Sequence, residues 1–89
     1  MMYEYMTLDD DTAIAHSEMK DDGSVKIYIE RPVDGGFHHI TFYLPDYRYE
    51  DNVGFSEEKI ADFKLFVENN AHIIIELSQK GGFINASGF

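Results

Sequence analysis

The feature that most limits how this chain can fold lies at Asp34-Gly35, between two alternating runs that extend back to Ser24 and forward to Leu44. An Asp-Gly pair flanked by alternating apolar residues is the sharpest short-range hairpin signal, and it reads as a type I′ turn. That turn sets Ile29 against Ile40, Ile27 against Phe42 and Val25 against Leu44. Successive side chains of a strand point to opposite faces, so these six residues share one face. Something apolar must cover it.

A second turn lies upstream. If Asp21-Asp22-Gly23 closes a hairpin loop, Gly23 supplies the left-handed conformation. Met19 then faces Val25, Ser17 faces Ile27 and Ala15 faces Ile29. On the other side Glu18 meets Lys26, His16 meets Tyr28 and Ile14 meets Glu30, a pattern that joins opposite charges. The two turns predict an antiparallel meander of three strands over residues 12–44. The weakly alternating MYEYMTL at residues 2–8 offers a fourth, with Asp9-Asp10-Asp11 as the break after it.

Pro45 ends the third strand, and residues 45–55 read as an irregular connector. Ser56 is then a good helix N-cap, with Glu57 and Glu58 suited to the positive end of the dipole. Phe55 and Ile60 have the spacing of a hydrophobic staple. Ile60, Phe63, Phe66, Val67, Ile73, Ile74 and Leu77 fall along one helical stripe. Asn69-Asn70 is a candidate break, so residues 57–79 form one long helix or two nearly collinear ones, with Gly81-Gly82 as the C-cap. The expected architecture is a single α+β domain over residues 1–89. It comprises a β-meander (1–44), a connector (45–55), a helical segment (56–80) packed on one sheet face, and a tail (81–89) docked by Phe83 and Ile84 or frayed.

Eighty-nine residues, 44% hydrophobic with seven Phe and six Tyr, support one modest core. The absence of Cys excludes disulfides, thiolate nucleophiles and cysteine metal sites, and fits a reducing compartment. No run approaches the ~20 apolar residues of a membrane span. The N-terminus lacks the basic and apolar regions of a signal peptide, so a cytoplasmic location is expected. Seventeen acidic against seven basic residues give a net charge of −10. Such a surface repels nucleic-acid phosphates and anionic lipid, and attracts a basic partner.

His38 and His39 raise the question of a metal or catalytic site. Neighbours on a strand face opposite ways, His38 toward the helix side opposite Arg31 and His39 toward the open side opposite Glu30. His16 shares the open face in this register, yet lies on the order of 12 Å from His39, too far for common ligation. His72 projects away from the apolar stripe. No metal site and no cofactor is therefore expected. The aspartates at 9–11 lack an EF-hand pattern, and neither glycine pair has the context of a phosphate loop. The serines and threonines sit mostly in turn, cap or terminal positions, and Thr41 beside His39 makes no nucleophile–base pair that stands out.

What remains is the open sheet face, with His16, Tyr28, Glu30, Phe37, His39, Thr41 and Tyr43 as candidate binding residues. It is too aromatic for a solvated surface and too charged for a core, and amphipathic rings of this kind favour interfaces. Tyr3 and Tyr5 extend that face if the first strand joins the sheet. The function expected is non-catalytic: a small acidic domain offering this sheet face, or the acidic helix surface of Glu57, Glu58, Asp62, Glu68 and Glu76, to a protein partner, a basic one in the manner of antitoxins or immunity proteins by analogy of charge. A homodimeric accessory domain is the second reading. A small-ligand binder or small enzyme around His39 is the third.

Overall fold

The computed structural model describes residues 1–80, which run through five strands and a helix: β1 (Met2–Thr7), β2 (Ala13–Ser17), β3 (Val25–Val33), β4 (Gly36–Leu44), β5 (Tyr49–Val53) and α1 (Glu57–Gln79). Each strand pairs antiparallel with its neighbours in sequence, giving the sheet order β1-β2-β3-β4-β5. The β3–β4 register is the one the Asp34-Gly35 turn predicts, with Val25, Ile27 and Ile29 opposite Leu44, Phe42 and Ile40. All six are at most 1% exposed. The turn is not type I′, however. Gly35 has a φ of 84°, but Asp34 is not among the residues with positive φ, which a type I′ turn needs at both central positions.

The β2–β3 pairing differs from expectation by one residue. The loop at Asp21-Asp22-Gly23 forms as predicted, with Gly23 at φ 85° and Lys20 N–H donating to Ser24 O at 2.9 Å. Yet His16 pairs with Ile27 and Ile14 with Ile29. Three residues lie between His16 and Lys20 where two lie between Ser24 and Ile27, so one extra residue bulges from the β2 side. Ser17 Oγ takes over as acceptor for the Lys26 N–H, at 3.0 Å. A one-residue slip exchanges the two faces of a strand. Ile14 and His16 therefore enter the core, and Ala13 and Ala15 take the open side. Burying isoleucine rather than alanine there is worth about 2 kcal/mol at about 0.8 kcal/mol per methylene.

On the covered face, α1 lays Ile60, Phe63, Val67, Ala71, Ile74 and Ser78 against the sheet. Ser56 caps the helix, its hydroxyl accepting from Lys59 N at 3.2 Å, and Phe55 beside it packs edge-on to Phe63 with ring centroids 4.8 Å apart. Asn70 does not break the helix. Its amide donates to Phe66 O at 2.8 Å and its carbonyl accepts from Tyr5 Oη at 2.7 Å, so both polar ends are satisfied within one continuous α1. Tyr5 thus lies on the helix side, edge-on to Phe66, and Tyr3 sits beside His16 with ring centroids 5.7 Å apart; neither extends the open face. Ile73 falls at the margin of the stripe and is 42% exposed.

At the far end of the helix, Ser78 ties α1 to β2. Its carbonyl accepts from Met19 N at 3.2 Å, and its hydroxyl lies 3.0 Å from His16 Nδ1, itself 2.9 Å from Ser17 O. The last helical turn closes on Lys80. The expected Gly81-Gly82 cap and the docking of Phe83 and Ile84 lie outside the described residues.

The connector at residues 45–55 is not irregular throughout. A turn after Leu44, with Tyr43 N–H donating to Arg48 O and Tyr47 N–H to Tyr43 O, brings Tyr49–Val53 back along β4 as β5. This strand shows no alternation because it is an edge exposed along its length, which left no hydrophobic pattern to read.

Candidate functional site on the open sheet face

The uncovered face carries a shallow depression. The pairing of β1 with β2 shifts between Glu4 and Met6, and that of β4 with β5 between His39 and Thr41. Bulges bend their strands and raise the local twist, and here the pairing of both outer strands carries such a shift. The result is a shallow hollow of about 550 Å³ whose lining comes from β1, β3, β4 and β5. Tyr28, His39 and Thr41 form part of it, flanked by Lys26, Asp51 and the apolar Met2 and Val53.

Tyr28 and His39 lie nearly parallel, ring centroids 6.0 Å apart and planes at 28°. The Tyr28 hydroxyl donates to Glu30 at 2.9 Å. Partial burial, together with that bond and the negative charge of Glu30, raises the Tyr28 pKa above the ordinary tyrosine value. Glu30 stands opposite His39 as the turn register requires. His39 Nδ1 is shut away from solvent and has no hydrogen-bond partner among the described residues.

The other candidate residues separate from this group. His16 is fully buried on the opposite face, where the β2 bulge puts it. Tyr43 is engaged at a corner of the sheet: its hydroxyl donates to Glu50 at 2.8 Å and its ring lies 3.9 Å from the Arg48 guanidinium carbon. The Glu50 hydrogen bond is the main cause of its raised pKa, with burial second. Arg48 is held in turn by Asp46 at 3.2 Å and Glu50 at 3.6 Å. Phe37 stands apart near the β3–β4 turn, 53% exposed.

His38 and His39 face opposite ways, as their spacing predicts. His38 packs edge-on to Phe55 at 5.6 Å on the helix side, and its ring lies over Gly54. No group of three or more His, Asp or Glu residues is arranged to hold a metal among the described residues. Asp51 and Val53 escaped the sequence reading because β5 did, and Met2 because the partner strand of β1 was undetermined. Lys26 was placed on this face, but as a cross-strand partner of Glu18 that the shifted β2 register removes.

The outer surface of α1 is the second candidate. Glu57, Glu58, Asp62, Glu68 and Glu76 are all exposed. Leu65 and Ile73 share that side of the helix at 56% and 42% exposure. His72 is exposed there too, as expected. No helix among the described residues is long and apolar enough to cross a membrane. No protein-family model, curated sequence or solved structure matches this chain.

Proposed function

We propose that this chain is a non-catalytic interaction module that binds a basic protein partner through the outer surface of α1. The observation that carries the reading is the exposure of all five helix carboxylates along α1, with Leu65 and Ile73 exposed on the same helix. Apolar contact at the centre with charge at the rim is the ordinary anatomy of a protein interface. The chain's own cations do little to neutralise the surface. Of the five helix carboxylates only Glu76 is ion-paired among the described residues, to Lys80 at 3.3 Å; Arg31 and Arg48 pair with carboxylates off the helix, and the chain carries a net charge of −10. A field of that sign accelerates encounter with a basic surface and disfavours acidic ones.

The test is capture from the source cell's lysate at low and high salt, using the wild type and a Glu58→Lys/Asp62→Lys/Glu68→Lys variant. A basic protein held stoichiometrically by the wild type, released by salt and lost in the variant, is the expected result. No partner at either salt, or equal capture by the variant, refutes the reading. Self-association through a sheet edge is a second reading, supported by Met2 and Met6 on β1, each 40% exposed. Sedimentation over a range of protein concentrations separates it from the first, since only self-association makes the mass of the isolated chain rise with concentration.

A further inference from the structure

The open-face hollow holds chemistry that a docking surface on α1 does not use. Lys26 and Asp51 both line it, and neither forms an ion pair among the described residues. Lys26 belongs to β3 and Asp51 to β5, with β4 between them. Two strand spacings and a stagger of about two residues place their backbones roughly 12 Å apart. The near-parallel rings of Tyr28 and His39 share the hollow with them.

The charges narrow the ligand class. A simple anion would meet Lys26 but also the field of a chain of net charge −10. A simple cation would meet Asp51 and leave the Lys26 ammonium facing a like charge. A molecule carrying both charges avoids each penalty, and flat apolar groups stack favourably on aromatic rings. We propose that the hollow binds a small zwitterion bearing a planar apolar group, its anion toward Lys26, its cation toward Asp51 and its flat group on Tyr28 and His39. The volume of about 550 Å³ lies within the range of small-molecule sites and admits a molecule the size of an aromatic amino acid.

The experiment is an amide chemical-shift titration of the full chain with three probes: phenylalanine, phenethylamine and 3-phenylpropionate. Phenylalanine should give saturable shifts at Tyr28, His39 and Thr41 and bind more tightly than either single-charge analogue. Lys26→Gln and Asp51→Asn should each weaken it by about three- to fivefold, the scale of an exposed ion pair. Asparagine suits position 51 because it tolerates the positive φ of 59° found there. Spectra of the free variants matching wild type outside the hollow establish that both are folded. No saturable shift with phenylalanine, equal affinity for all three probes, or undiminished binding by both variants overturns the proposal. The helix-surface reading is tested by substitutions on α1 that leave the hollow intact, so the two stand or fall separately.

Discussion

Replacing Gly54 by alanine tests how β4, β5 and the helix entry are held together. Gly54 has a φ of 94°, and a Cβ built there would land on the His38 ring. Forcing an L-residue into left-handed backbone costs roughly 1–2 kcal/mol. Displacing His38 adds roughly 0.5–1.5 kcal/mol of rotamer strain. The edge contact with the Phe55 ring is worth about as much again, and is lost if the imidazole swings away. Alanine also restricts the unfolded chain, which offsets about 0.4–1 kcal/mol. The net expectation is a loss of about 1–4.6 kcal/mol, centred on about 3 kcal/mol. Gly23→Ala is the control, since Gly23 has a similar φ of 85° but open space around its Cβ position. It should lose about 0–1.6 kcal/mol, the backbone cost less the unfolded-state offset. Urea denaturation of both variants at unchanged m-value measures the difference. Adding His38→Ala to Gly54→Ala should recover part of the loss. If Gly54→Ala is no more destabilised than Gly23→Ala, the close packing of His38 on the backbone is refuted.

The two sheet faces should respond differently to truncation. Ile27→Ala, at a fully buried position, is expected to cost about 2–5 kcal/mol, and His39→Ala on the open face less than about 1 kcal/mol; near-equal losses in thermal or urea unfolding would contradict the assignment of faces. At alkaline pH the folded state holds the Tyr28 proton above the ordinary value of 10.0, mainly through burial and then through Glu30. The unfolded chain therefore sheds that proton first, so stability declines as pH rises through the tyrosine range. A ring-proton titration should show Glu30→Gln moving Tyr28 back toward the ordinary value, and an unchanged midpoint would remove Glu30 as a cause.

The register of β3 on β4 was legible because two signals converge. The Asp34-Gly35 turn and the alternation of Val25, Ile27, Ile29, Ile40, Phe42 and Leu44 both specify the same pairing, and a slip would put that whole set on the wrong side. The start of α1 was legible for a similar reason, since Ser56, the two glutamates and the Phe55–Ile60 spacing act within a few residues of one another. Local chemistry of this kind does not depend on what the rest of the chain does. It therefore survives folding unchanged, and it brought Tyr28, His39 and Thr41 onto one face before any tertiary contact was known.

The placement of His16 shows the opposite case. The loop at residues 21–23 matched expectation, but the bulge behind it did not announce itself, because Ser17 Oγ supplies a substitute acceptor for the Lys26 N–H. Which face of β2 is buried was settled by the rest of the core: the helix offers a site for the larger Ile14, and Ser78 offers His16 a polar neighbour 62 residues away. β5 likewise exists because β4 has an edge to pair with, not because Tyr49–Val53 carries a strand pattern of its own. The amino-acid sequence alone determined the turns, the helix and the central hairpin, where neighbours a few residues apart specify the outcome. Only the tertiary structure decided the β2 faces, the fifth strand and the hollow they help to shape, because those depend on burial and pairing between residues that are distant in the chain.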